Sequence, residues 1–313
     1  EAANRMAGVD RSSVCVKRSD KRQANETDGC WVPVLTASVE TAAQLQAVLE
    51  TPDIADVYLS SRLFFPTEAK RGQHPETALF QMYGEQVHRA GKQCFYTMPE
   101  IFREEMVPQY AQLIPVLQEA GFDGILVHGM DELEWCREGG WPGELRSDAS
   151  AYVMNREANA VMQRYVSRTT LSVEANEKEL RHTDASASEM IVYGYLPLMV
   201  STQCVNQTLR RCSQKEETRM LVDRYQKQFP VKKDCSVCMN IIYNSTPLVL
   251  LDLVPAIEKI APKSIRLAFS QENAKETRRV LQACTDAFLK GKTVDPGMLC
   301  REYTRGHFRR GVD

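Results

Sequence analysis

The sequence predicts an α/β chain: a (β/α)8 TIM-barrel-like domain over residues 31–313, with a cysteine-bearing excursion after strand seven. Three observations carry this. Short apolar β-forming runs alternate with amphipathic helical stretches in roughly eight strand-then-helix units, the number that closes a parallel barrel. No glycine-rich phosphate fingerprint follows the first strand, which disfavours the runner-up, a doubly wound open sheet. The rhythm is interrupted once, after the seventh strand, where four of the ten cysteines fall between positions 204 and 238.

The elements follow in order. "VPVLTAS" is the first strand, and "VETAAQLQAVLE" has helical spacing of Ala and Leu. "DVYLS" is the second strand, and "ALFQMYGEQVHRAG" a helix closed by Gly91. "CFYTMP" is the third strand. The helix "EEMVPQYAQLIPVLQEAG" closes on Gly121 and must kink or break near Pro115. "DGILVHG" reads as a buried strand and "DASAYVMN" as the next, before the helical "REANAVMQRYV". "TTLSVE" precedes the helix "ANEKELRH", and "EMIVYGYLPLMVS" is one long β-rich run. After the cysteines come the helix "LDLVPAIEKIAP", the strand "SIRLAFS" and the long helix "QENAKETRRVLQACTDAFLKG". Residues 1–30 are polar and aperiodic, as expected of a linker or the tail of a preceding domain.

Composition narrows the function classes. A net charge of −2 excludes a global basic field for nucleic acid, leaving room only for a local patch. No apolar run approaches the roughly 18–20 residues that cross a bilayer, so no membrane partner is expected. No signal pattern opens the chain, so a cytoplasmic, reducing setting is the expectation, without structural disulfides. The sequons at Asn25, Asn206 and Asn244 are then chance matches. HExxH, GxSxG and GxxxxGK[ST] are all missing, which removes support for a conventional zinc or serine peptidase.

In such barrels chemistry gathers at the C-terminal ends of the strands. The residues there are Ser38, Ser60, Glu100, His128, Asp131, Asn155 and Glu174, and then the cysteine excursion. Cys235 and Cys238 form a CxxC, which brings two sulfurs together from one turn; Cys204 and Cys212 are the other pair. Four thiolates suit an iron–sulfur cluster or zinc equally. The alternatives are a redox dithiol, or four separate buried thiols packed as small apolar groups. The polar stretch "SQKEETRMLVDRYQKQFPVKKD" between the pairs argues against burial there.

Glu174 is a candidate for acid–base work or substrate binding, against a role as a helix-end carboxylate. Asn155 either binds a ligand or caps a helix, and His128 is either an acid–base group or a hydrogen-bonded structural residue. His182 reads as a helix-end cation. In "YTRGHFRRGVD", Arg305, His307 and Arg309 alternate with Tyr303 and Phe308. Basic and stacking side chains of this kind can hold RNA; the alternative is a solvated tail.

"YGYLPLMVSTQC", "DRYQKQFPVKKDC", "NIIYNSTPLVLLD" and "YTRGHFRRGV" together resemble the collagenase-like peptidase U-32 family, as does "SAYVMNREANAVMQRYVSRTTLSVEANEKEL". The resemblance is good over residues 148–311 and extends to 31–147 only as rhythm. It is best to the second half of long, two-part members, which implies a preceding domain as a partner. It implies a TIM-barrel-like core and, from several members, a 4Fe–4S cluster that supports oxygen-independent hydroxylation of RNA or a ubiquinone ring. In some members prephenate is the small-molecule oxygen donor. The family label itself implies a collagenase-like peptidase, and a non-catalytic binding module with structural zinc is the third reading. Cys204 and Cys212 match the family's first cysteine pair and Cys235 its next; Cys238, the natural fourth ligand, departs from the usual spacing. Many members carry a Lys-Ile-Glu-Gly-Arg-type run on the last strand. Here Arg266 stands for the Lys and the Glu is gone, which implies binding rather than chemistry if that carboxylate is catalytic in relatives.

Overall fold

The computed structural model describes residues 31–65, 74–208, 212 and 218–311. Eight parallel strands close into a barrel. They are β1 (Val34–Val39), β2 (Ile54–Ser60), β3 (Gln93–Thr97), β4 (Gly124–Val127), β5 (Glu144–Ser147), β6 (Arg168–Thr170), β7 (Ser188–Gly194) and, as the eighth, β13 (Ser264–Ala268). Each pairs with its successor, β13 returns to β1, and β6 meets β7 through Thr169↔Ser188 and Thr170↔Glu189. Beyond that point the two strands part, and β12 (Leu248–Val249) takes the freed edge of β7, antiparallel to Tyr193 and Gly194.

The excursion after strand seven is a second, four-stranded antiparallel sheet. Its strands are β8 (Pro197–Ser201), β9 (Thr218–Val222), β10 (Gln228–Asp234) and β11 (Met239–Tyr243), in the order β8-β11-β10-β9. The run "EMIVYGYLPLMVS" is therefore two strands of two sheets, not one. Gly194 makes the corner: its φ is +145°, and a Cβ there would lie 2.3 Å from the Ala268 carbonyl oxygen.

The described residues hold ten helices, of which the short α8 belongs to the excursion: α1 (Ala42–Leu49), α2 (Thr77–Arg89), α3 (Val107–Tyr110), α4 (Leu113–Glu119), α5 (Met130–Glu138), α6 (Arg156–Met162), α7 (Glu177–Leu180), α8 (Val205–Thr208), α9 (Val254–Ile260) and α10 (Ala274–Phe288). Local chemistry sets their ends. Reciprocal capping boxes start α1 (Thr41 with Gln44), α7 (Asn176 with Glu179) and α10 (Asn273 with Glu276). Gly91, at φ +75°, follows α2 as expected. The break near Pro115 falls at Ala111–Gln112, so that Pro115 lies in the first turn of α4, where its missing N–H costs nothing.

Two readings are corrected. "DASAYVMN" is not a strand: strand five is Glu144–Ser147, and residues 149–151 form a single 3₁₀ turn ended by Tyr152 at φ +51°. "TTLSVE" supplies only the end of strand six, which is Arg168–Thr170, and Val173–Glu174 is already a turn. In both cases the strand is short and carries an inward arginine, which hides the apolar pattern.

The core is two-layered. Between barrel and helices lies an apolar shell in which Phe64 stacks on Phe80 at 4.1 Å and meets Tyr83, Tyr96 and Phe122 at their edges or at a tilt. Inside the barrel, Tyr58, Phe95 and Leu126 form a small apolar plug, beside which the interior carries polar and charged side chains.

Candidate active site at the barrel mouth

The barrel interior holds a continuous run of ion pairs. Arg146 Nη1 donates to Asp56 at 2.6 Å and to Tyr58 Oη at 2.9 Å, and its guanidinium lies 3.6 Å from the Phe95 ring centroid. Arg168 shares Asp56 at 2.9 Å. Glu189 Oε1 accepts from Thr36 (2.8 Å), Tyr58 (3.1 Å) and Ser264 (2.9 Å), while its other oxygen lies 3.3 Å from Arg266 Nε. Arg266 continues upward to Asp148, just past β5, and Asp148 pairs with His128, just past β4, at 3.3 Å. Period-two alternation puts Asp56, Arg146, Arg168, Glu189 and Arg266 on the inner face.

His128 is held on both ring nitrogens: Nδ1 faces Asp148 and Ser150 Oγ, and Nε2 lies 3.1 Å from the Met98 carbonyl. Burial opposes the charge, yet Asp148, backed by Glu132 and Glu100, raises the imidazole to about 9. Burial likewise raises Glu132 to about 7, although it accepts the His128 backbone N–H. At neutral pH His128 is thus an imidazolium with both ring nitrogens facing protein acceptors.

Above it, the mouth is closed by the second sheet. Arg62, two residues past β2 and with a side chain only 2% exposed, binds Glu40 at 2.9 Å, Glu100 at 3.0 Å and Asp234 at 3.4 Å. Glu40 follows β1, Glu100 follows β3, and Asp234 ends β10, so one guanidinium ties two barrel loops to the excursion. Lys232 of β10 and Tyr243 of β11 also bind Glu40. Burial would raise the Glu40 carboxyl, but Lys232 and Arg62 overcome it and hold it at about 2. Removing one partner would strand a buried charge, a cost of about 3–5 kcal/mol. Sequence reading missed Arg62, Glu40, Lys232, Asp234 and Tyr243. The available signal was the lone cation in "SSRLFF", immediately after a strand end.

The same anchoring orients the cysteines. Cys235 and Cys238 lie in the β10–β11 turn, where Cys238 takes φ +55°. Ser201 at the end of β8 pairs with Asn240, and Asn240 bonds the backbone of Gln203 and Val205 on either side of Cys204. Cys204, Cys235 and Cys238 therefore share one end of the second sheet. Cys204 is buried, Cys235 and Cys238 are half-buried, and Cys212 is exposed. Among the described residues no three His, Cys, Asp or Glu side chains converge closely enough to hold a metal ion. Contrary to expectation, part of the polar stretch between the cysteine pairs is buried: Lys233 and Asp234 are both buried, and Asp234 reaches Arg62 at the mouth.

The other predicted residues lie apart. Asn155 caps α6 by accepting from Ala158 N–H at 2.8 Å. It also lines an open groove of about 480 Å³ with Met130, Val161, Met162 and Tyr165. Glu174 is in the turn after β6, half-buried, with its backbone N–H on Ser172 Oγ. Arg305 forks onto Asp252, Arg309 pairs with Glu177 at 2.8 Å, and His307 Nδ1 lies 2.8 Å from the Gly311 carbonyl. Residues 1–30, read as a linker or the tail of a preceding domain, lie outside the described residues. No helix of the described residues is long and apolar enough to cross a membrane.

The family model for peptidase family U32 matches residues 71–293, a stretch that includes the second sheet and all four cysteines. The chain belongs to the U32 peptidase family. Among solved structures it is similar to the U32 peptidase Mk0906, at 12% identity and a TM-score of 0.46 over 80% of this chain and 98% of that one. It is also similar to thiamine phosphate pyrophosphorylase from Pyrococcus furiosus (8% identity, TM-score 0.44, 82% and 96% covered). A chitinase from Rhizomucor miehei is a third (11% identity, TM-score 0.44, 81% and 99% covered). No curated protein matches the chain.

Proposed function

We propose that this U32 chain works as an iron–sulfur enzyme of the oxygen-independent hydroxylase kind, acting on RNA or a related small aromatic substrate. The observation that carries the reading is the gathering of Cys204, Cys235 and Cys238 at the end of the second sheet that is keyed to the barrel mouth. Thiolates are the donors such a cluster takes, and Cys204, Cys212, Cys235 and Cys238 would hold it. When bound, a 4Fe–4S cluster supplies one-electron chemistry; zinc on the same thiolates is the alternative and would serve structure alone.

The chain's own residues supply the rest. Met130 and Asn155 begin helices that follow barrel strands, so that end of the groove lies on the mouth side, while Tyr165, past the end of α6, lines its far end. Its half-exposed Tyr165 offers a stacking face and Asn155 a polar edge, suited to a planar ring. Arg305, His307 and Arg309 would add backbone contacts, the two arginines on release from Asp252 and Glu177. A carboxylate such as Glu174 would orient the substrate. The family's peptidase name supports a second reading, but burial raises the thiols of Cys94, Cys136 (to about 12) and Cys284, which suits none of them to nucleophilic attack.

The test is an anaerobic incubation of the reconstituted chain with RNA, a reductant and prephenate as oxygen donor, with nucleosides analysed by mass spectrometry. Hydroxylated nucleosides that vanish when the four cysteines become serine are expected. Gelatin cleavage that survives the same replacements, with no hydroxylation, would favour the peptidase.

A further inference from the structure

We propose that Arg62 and Asp234 form a positioning pair that holds the Cys235–Cys238 turn over the barrel mouth in its ligand-binding geometry; the ligand-binding part rests on the role proposed above for the cysteines. Asp234 immediately precedes Cys235 and divides its two carboxylate oxygens between two tasks. Oδ1 accepts from the Ser236 backbone N–H at 3.0 Å and from Ser236 Oγ, fixing the first residues of the turn. Oδ2 faces Arg62 Nε at 3.4 Å. Both side chains are about 2% exposed, so water does not compete for either contact.

Arg62 is in turn over-determined. Its remaining nitrogens are spent on Glu40 and Glu100, carboxylates from two further barrel loops. A planar fork with several fixed donors suits this three-way contact, and a lysine would satisfy only part of it. The pair therefore transmits the geometry of the barrel to the cysteine turn. Lys232 and Tyr243 bind the same Glu40 from β10 and β11, so the whole hairpin is registered on one buried cluster. Carboxylates behind ligand residues tune metal sites, and their loss costs about 10–100-fold in affinity.

The experiment uses Asp234→Asn in the full chain, which keeps an acceptor for Ser236 but turns an uncharged amide to Arg62. Iodoacetamide alkylation of each cysteine in the metal-free chain is followed by mass spectrometry. Cys94, Cys136 and Cys284, fully buried in the barrel wall and its helices, serve as internal controls for folding. About tenfold faster alkylation of Cys235 and Cys238, with the three controls still protected, is expected; unchanged rates would overturn the proposal. If the controls also become reactive, Arg62→Lys decides. A selective rise at Cys235 and Cys238, smaller than in a fully broken pair, supports the proposal, and no rise overturns it. In parallel, the iron-loaded chain is challenged with a chelator, and about tenfold or faster bleaching is expected in the Asp234→Asn variant. A wild-type chain that takes up no metal would count against the proposed function, while the alkylation arm still decides the positioning role.

Discussion

Asp148 is the residue through which the barrel interior reaches the mouth, because it accepts from Arg266 below and faces His128 beside it. Its effect is testable by pH. The folded-state pKa of His128, about 9, lies above its ordinary 6.5. The stabilisation is therefore fully present below about 6.5 and is lost as pH rises through about 9, for a total of about 3 kcal/mol. Glu132, raised to about 7, acts with the same sign: its contribution is present below about 4.5 and fades as pH rises through 7. Glu40, lowered to about 2, acts oppositely and is lost only as pH falls below about 4.5 toward 2. Urea unfolding should show a clear drop in stability between pH 6.5 and 9.5, and His128→Gln should flatten that limb. A wild-type curve flat over this range would refute the imidazolium assignment. His128 was visible in the sequence as a strand-end residue with two alternative roles, but its partner was not, since Asp148 comes from another strand. Arg146, Arg168 and Glu189 were hidden for a related reason: a charge within a strand reads as a break in apolar pattern until closure of the barrel supplies the opposite charge.

Among the elements, the corner between β7 and the second sheet is the most constrained. Gly194 combines a φ of +145° with a backbone approach that leaves no room for a side chain. Gly194→Ala should destabilise the fold by about 2–4 kcal/mol, read from the denaturation midpoint at constant m-value. A loss below about 0.5 kcal/mol would mean that the corner relaxes freely. The sequence showed this segment as β-rich but not as two strands, because both halves are apolar and only tertiary pairing separates them. Helix α5 and strand β5 were also not legible. The helix carries five charged residues among its nine, and the strand "ELRS" is short and half charged. The long helices α2 and α10 were legible, since amphipathic spacing is a local signal, as is Gly91 after α2; the cap of α10, Asn273, was not singled out.

At the scale of the whole molecule, the eight-unit rhythm sufficed for the barrel, because parallel closure demands that strands and helices alternate. The second sheet was visible only as an interruption, and the cysteines marked its place without revealing that it folds back onto the mouth. That fold-back rests on long-range contacts from Glu40 and Arg62 to Lys232, Asp234 and Tyr243, which no local pattern announces. The proposed role of this sheet is to carry a metal site at the barrel mouth. The most direct measurement is anaerobic purification with iron, sulfide and zinc quantified, beside a Cys204→Ser/Cys212→Ser variant. The prediction is about four irons and four sulfides per chain, with absorbance near 400 nm, both lost in the variant. A chain that holds neither iron nor zinc under these conditions would contradict it.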